Sequence, residues 1–186
     1  LLLKSHLESI GHHFESDTDS EVVAHLLGNE YAESKSLTKA MQTVCQKLKG
    51  NFSLVAIAVD APGMLVGARR NSPLVVGLGE RENFLASDVA AFISFTRRAL
   101  EIGQDSVVTL TPDSYSITDF HGNPISAKEF EVTWDAGAAQ KNGFAHFMAK
   151  EIMEQPKAIS DSLMGRLDQR GKLILNEIRL SDDEIR

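Results

Sequence analysis

At Asn51 the spacing of apolar residues changes, and this switch limits the possible folds of the chain more than any other feature. Before it, Leu37, Met41, Val44, Cys45 and Leu48 recur at three- and four-residue intervals, a helix face running from Ser36 to about Lys49 with Gly50 placed to end it. After it, Phe52-Ser53-Leu54-Val55-Ala56-Ile57-Ala58-Val59 reads as a nearly fully buried strand. Asp60-Ala61-Pro62-Gly63 then turns the chain into a hairpin partner, Met64 to Arg70. Pro73 to Gly79 is a further short strand. Glu82 to Asp88 joins a strand to a cap, and Val89, Ala90, Phe92 and Ile93 supply a short helix. Val107 to Leu110 and Tyr115 to Phe120 flank a Pro112-Asp113 turn. Helices followed by such a run of short strands give an antiparallel sheet with helices on a face, an α+β layer fold.

An earlier helix begins at Thr18-Asp19-Ser20-Glu21, ahead of Val22, Val23, Leu26 and Leu27. Threonine followed three residues later by glutamate predicts a capping box, with the hydroxyl on an orphan amide and the carboxylate reaching back to the cap. Asp19 falls in the first turn, where a carboxylate gains about 0.3–1 kcal/mol from the helix dipole. That is a sufficient structural reason for it. Cys45 lies on the apolar stripe of the following helix and reads as a buried filler, not a nucleophile.

Composition narrows the function classes. With 186 residues there is room for one domain with a real core, or one domain plus part of another. A net charge of −7 and no concentrated lysine and arginine stripe argue against a nucleic-acid surface. No apolar run approaches the roughly 18 residues that span a bilayer. One cysteine cannot form an intramolecular disulfide, and no cysteine and histidine cluster has metal spacing. These features point to the cytoplasm. Leu1-Leu2-Leu3-Lys4-Ser5-His6-Leu7 reads as the middle of an amphipathic helix, and Asp182-Asp183-Glu184-Ile185-Arg186 closes no obvious element. Both ends are expected to be cut.

Several motifs have ordinary explanations. Gly77-Leu78-Gly79 lacks the third glycine of a dinucleotide fingerprint and reads as a turn. His12-His13, His25 and His146 have no metal spacing and are expected to be solvated or hydrogen-bonded. Ser87-Asp88 is explained by a helix cap. Arg69-Arg70 and Arg97-Arg98 could grip phosphate, but paired arginines at element ends are usually solvated.

Toward the end, Phe144, Phe147, Met148 and Ile152 form a helical stripe that Ile159 and Leu163 resume, with Pro156 between them. The proline removes a donor and restricts Gln155, so a joint between two helices is expected there. Phe147-Met148-Ala149-Lys150-Glu151-Ile152-Met153-Glu154-Gln155-Pro156, with Ser162-Leu163-Met164-Gly165-Arg166, resembles the segment joining the two halves of the glutamine:fructose-6-phosphate amidotransferase family. Ser16 to Leu26, Ser72 to Gly79 and Glu82 to Asp88 are similar, in order, to stretches of that family's glutaminase domain, and together the motifs reach from about residue 10 to 166.

The resemblance implies an N-terminal-nucleophile αββα sandwich, incomplete at its N-terminus. Residues 1–135 would be the later glutaminase part, 136–156 the linker and 157–186 the start of the sugar-isomerising half without its sugar-phosphate domain. In the family an N-terminal cysteine attacks glutamine, using its own amino group as base, while an aspartate holds the α-ammonium. Asp19 matches that aspartate, and a carboxylate suits an ammonium because charge-assisted hydrogen bonds are the stronger kind. No residue here matches the nucleophile, the Arg-Trp segment or the Asn-Gly oxyanion donors, and Trp134 does not fit the gating context. The isolated chain is therefore expected to be inactive, with no catalytic residue and no metal or organic cofactor. The resemblance also implies glutamine and fructose 6-phosphate as the parent's substrates, a homodimer formed through the missing domain, and an interdomain helix that sets the relation of the two sites. The rival readings are a fragment of another cysteine-nucleophile amidotransferase, such as the one opening purine synthesis, and a non-catalytic glutamine-binding or oligomerisation module. The Lys150 to Pro156 segment speaks against the first rival.

Overall fold

Local signals start the helices where they were expected and end them differently. The computed structural model describes residues 2–133, 141 and 143–163. Helix α1 spans Leu2–Ser9, α2 Asp19–Ser34 and α3 Leu37–Lys47. Thr18 caps α2 by accepting from the Ser20 amide, and Ser36 caps α3 by accepting from the Lys39 amide. The second half of the expected capping box is not made: the Glu21 carboxylate turns to Glu15 and Ser16 instead of the Thr18 amide. Helix α3 stops at Leu48, whose backbone is already extended, so Gly50 (φ +92°) makes the turn into the sheet and is not the helix terminator.

Eight strands follow: β1 Phe52–Ala56, β2 Leu65–Arg70, β3 Val75–Leu78, β4 Asn83–Ala86, β5 Arg98–Glu101, β6 Ser106–Leu110, β7 Tyr115–Asp119 and β8 Lys128–Glu131. They form two antiparallel sheets, in the orders β1-β2-β6-β7 and β4-β3-β5-β8. Strands β5 and β8 escaped the sequence reading because their Arg98, Glu101, Lys128, Glu129 and Glu131 hide the apolar alternation. The pairing brings Arg98 beside Glu129, at 2.8 Å. The expected helix after Asp88 is a single 3-10 turn, Val89–Ala91, capped by the Asp88 carboxylate at 2.7 Å from the Ala90 amide.

The core lies in two layers. Between the sheets, Val108, Leu110 and Ile117 of one meet Val76, Leu78 and Leu100 of the other, all buried. On the opposite face of the first sheet, Val66, Ala68, Val107 and Phe120 pack under Leu37, Met41 and Cys45 of α3. Hydrogen bonds between the Thr38 and Thr109 hydroxyls (2.7 Å) and from Gln42 to Thr118 (2.8 Å) hold the helix in place. The arrangement is α+β, with two antiparallel sheets and helices outside one of them. Among the described residues of this unit, the outer face of the second sheet carries the 3-10 turn, whose neighbour Phe92 lies over Gly77.

Two further expectations are corrected. Strand β1 is not nearly fully buried: it is a sheet edge, with one face on the helix layer and the other open, leaving Val55 54% and Ile57 74% exposed. A run that is apolar on both faces looks buried in sequence; its position in the sheet decides otherwise. Pro156 does not break the chain into two helices either. Helix α4, Phe147–Leu163, runs through it, although an interior proline costs a backbone bond and crowds the carbonyl of Ile152. Beyond the proline, Lys157 pairs with Asp161 (2.6 Å) and Ser162 donates to the Ala158 carbonyl (2.7 Å), local bonds that continue the helix.

Contacts group residues 1–134 into one compact unit and 135–186 into another. Trp134, Met164-Gly165-Arg166 and the charged residues from Asp182 onward lie outside the described residues.

Candidate functional site

Asp19 is the first residue of α2, exposed, and makes no hydrogen bond or ion pair among the described residues. It lines an open cleft of about 810 Å³ shared with Ser20, Val23, Lys47, Lys49, Asn51 and Ser53. One wall is the first turn of α2; the other is the approach to β1 and the start of that strand. Lys47 is engaged by Glu30, leaving Lys49 as a cleft cation with no ion pair among the described residues. The cleft thus offers a free carboxylate and a free ammonium to a small polar ligand, and only the first was singled out by sequence. Lys49 follows the last periodic residue of α3 and carries no motif, so nothing along the chain marks it.

The loop before α2 is held by Glu21. Its carboxylate accepts from the Glu15 amide (2.8 Å), the Ser16 amide (2.8 Å) and the Ser16 hydroxyl. These bonds, the Ser16 hydroxyl first and the Glu15 amide next, hold the carboxyl at a pKa of about 2. The clamp ties residues 15–16 to the first turn of α2 and so sets the chain entering Thr18 and Asp19. It takes the place of the reciprocal capping bond, and sequence spacing alone does not distinguish the two uses of one glutamate.

Behind the clamp is a histidine pair. Asn29 Nδ2 donates to His12 Nε2 (2.9 Å), which leaves His12 Nδ1 to donate to His25 Nδ1 (3.0 Å) and the His25 Nε2 hydrogen to face Glu21 (3.7 Å). These tautomers follow from the partners. The histidines are hydrogen-bonded, and among the described residues no three side chains are grouped to hold a metal.

Other candidates resolve into structure. Cys45 is fully buried, and burial pushes its thiol up to about 12, which leaves it unreactive. Arg69 donates to the Ile102 carbonyl (2.8 Å), and Arg70 bonds Asp105 (2.6 Å) and the Leu48 carbonyl (2.9 Å) while lying over Phe120. Arg97 donates to the Val132 carbonyl (3.3 Å). Arg69 and Arg70 are half-buried, against expectation, whereas Arg97 and Arg98 are exposed, as expected; all four tie separate parts of the chain together. Gly79 donates to the Glu82 carbonyl (2.9 Å) in the β3–β4 turn, whereas Gly77 is needed for close packing. Ser87 stays beside the Asp88 cap, with no histidine hydrogen-bonded to it among the described residues. No described helix is long and apolar enough to cross a membrane.

No protein-family model matches the chain. A solved structure of glutamine phosphoribosylpyrophosphate amidotransferase from B. subtilis has a similar fold, with a TM-score of 0.55 at 22% identity over 66% of this chain and 27% of that one. Sequence likeness is much stronger elsewhere. Glutamine–fructose-6-phosphate aminotransferase (isomerizing) of Streptomyces coelicolor is 54% identical over 184 residues, 99% of this chain and 30% of the relative. The Corynebacterium diphtheriae protein of the same name is 53% identical over 186 residues, again 99% of this chain and 30% of the relative. That of Leifsonia xyli is 57% identical over 153 residues, 82% of this chain and 25% of the relative. The chain spans about three tenths of the length of the first two relatives. Identity at this level, sustained along almost the whole chain, makes the chain homologous to one segment of the glutamine–fructose-6-phosphate aminotransferases.

Proposed function

We propose that these residues are the later part of the glutaminase region of an enzyme that converts fructose 6-phosphate and glutamine to glucosamine 6-phosphate and glutamate. Glutamine would be hydrolysed to glutamate and ammonia at one site. The ammonia would then pass to a second site and replace an oxygen of the isomerising sugar, with loss of water. The carrying observation is the 54% identity to the Streptomyces coelicolor aminotransferase over 99% of the chain. On this reading residues 1–135 belong to the glutaminase domain, 136–156 link it to the sugar half and 157–186 open that half. The parent enzyme would be a cytoplasmic homodimer joined mainly through its sugar domain, without metal, organic cofactor, nucleic acid or membrane in its function.

Asp19 would hold the α-ammonium of glutamine. Support comes from its match to the family motif and from its position, exposed at a helix N-terminus on a cleft wall and engaged in no ion pair among the described residues. Catalysis by these residues alone is not expected, because their one cysteine, Cys45, is buried and protonated and cannot serve as the nucleophile.

The test has two arms. In the longer enzyme carrying this segment, Asp19→Asn is expected to raise the KM for glutamine by about 10- to 100-fold, the value of a lost charge-assisted hydrogen bond. An unchanged KM would reject the role of Asp19. The 186-residue chain itself is expected to release no glutamate from glutamine, and release would reject its inactivity. Saturable glutamine binding by the chain alone, abolished in Asp19→Asn, would favour a glutamine-binding module instead.

A further inference from the structure

Two ties hold the chain where it enters α2, the Glu21 clamp and a contact between two protonatable rings. Glu21, His25 and Asn29 follow one another at four-residue spacing on one face of α2, and all three are half-buried. His12, from the loop ahead, lies on the last two: Asn29 Nδ2 donates to its Nε2 (2.9 Å), and its Nδ1 meets His25 Nδ1 at 3.0 Å. The His12 amide donates to the Leu7 carbonyl (3.0 Å) in α1, and Phe14 packs edge-on against His25. Residues 12–16 are thus held between the two helices and lead directly into Thr18 and Asp19.

A contact between two ring nitrogens limits how many protons it can hold. One nitrogen must donate and the other accept, so the closed contact exists with both rings neutral or with one charged, never with both charged. A first proton suits His25, whose Nε2 faces Glu21 (3.7 Å); the neighbours of Glu21 hold its carboxyl at about 2, so it stays ionised. His25 Nδ1 then donates to His12 Nδ1, and Asn29 turns its amide to accept from His12 Nε2. A second proton sets two N–H groups head to head and opens the contact. The other titratable groups around the pair are Lys4 and Glu8 of α1 and His13, Glu15 and Asp17 of the loop, and none is hydrogen-bonded to either ring among the described residues. Lys4 is drawn to Asp17 (3.5 Å), and Lys47, from α3, is engaged by Glu30 of α2.

We propose that His12 is a positioning residue for Asp19: through His25 it latches the loop that sets the start of α2, and the latch opens when both rings are charged. The open form holds more protons than the closed one, so falling pH favours opening. The consequence for glutamine rests on the reading of Asp19 as the ligand of its α-ammonium, whereas the latch itself does not.

Amide exchange, corrected for the intrinsic rate at each pH, is to be followed by mass spectrometry in the longer enzyme carrying this segment, with the KM for glutamine alongside, from about pH 8 to about pH 5. In wild type, exchange at residues 12–18 is expected to quicken and KM to rise as pH falls, each by about 5- to 10-fold, the value of one lost hydrogen bond. His12→Asn keeps a group beside His25 that can donate or accept without titrating, and is expected to remove both pH responses. His12→Ala should exchange rapidly, with a raised KM, at every pH. Wild-type exchange that ignores pH, or a pH response that persists in His12→Asn, would overturn the latch. If exchange responds and KM does not, Asp19→Asn separates the causes: a raised KM in that variant overturns the positioning role alone, and an unchanged one overturns it together with Asp19 as the ligand.

Discussion

Replacing Gly77 by alanine should destabilise the protein, whereas the same change at Gly28 should stabilise it. A Cβ on Gly77 would lie 2.6, 2.8 and 2.9 Å from three ring carbons of Phe92. Carbon atoms rest at about 3.5–4.0 Å, so the strand or the ring must shift by close to 1 Å. The ring has little room to yield: Phe92 is 1% exposed and stacks on Phe84, which in turn stacks on Phe95. Overpacking of this kind costs about 1–3 kcal/mol, reduced by about 0.4–1 kcal/mol because alanine restricts the unfolded chain. A net loss of about 1–2 kcal/mol is expected. Gly28 lies inside α2 with nothing within 4 Å of its missing Cβ, so alanine there should add about 0.5–1 kcal/mol. Urea unfolding, followed by far-UV circular dichroism at constant slope, reads both changes as opposite shifts of the midpoint. A Gly77→Ala midpoint equal to wild type, or both variants moving the same way, would refute the packing argument.

Two further outcomes are expected. Glu21 titrates near 2 in the folded chain against an ordinary value of 4.5, so its contribution to stability is complete above about 4.5 and is lost as pH falls through 2. The urea midpoints of wild type and Glu21→Gln should therefore differ at neutral pH and converge in acid; a gap independent of pH would show that the carboxylate is not the source. Cys45 should resist iodoacetamide at pH values where free thiols react and become reactive only on unfolding, because burial raises its thiol to about 12. Alkylation of the native chain at the rate of the unfolded one would contradict its burial.

Much of the fold was legible because it depends on neighbours in sequence. Thr18 announced its helix through cap chemistry, the apolar stripe after Ser36 announced the next, and the β1–β2 hairpin was marked by Asp60-Ala61-Pro62-Gly63. Strands β5 and β8 were not legible, since their charges are accommodated by each other across the sheet, Arg98 with Glu129. The same limit hid the Glu21 clamp: a glutamate three residues after a threonine fits a capping box equally well, and the loop carrying Ser16 determines which bonds form. The continuity of α4 through Pro156 escaped for a related reason. Proline lowers the chance of a helix by a local cost that the bonds beyond it offset.

By itself, the sequence determined the α+β class, the helix starts, the inert character of Cys45 and the likeness to one segment of the aminotransferases. Each follows from residue type and short-range spacing, or from identity along the chain. The tertiary structure decided which apolar strand is an edge, where the arginines end and what faces Asp19. Those outcomes depend on partners far apart in sequence: Arg69 finds the Ile102 carbonyl, Thr38 finds Thr109, and Val55, on the edge strand, stays half exposed. An apolar alternation specifies that a face prefers burial, but only the packing of the sheets determines whether that face is covered.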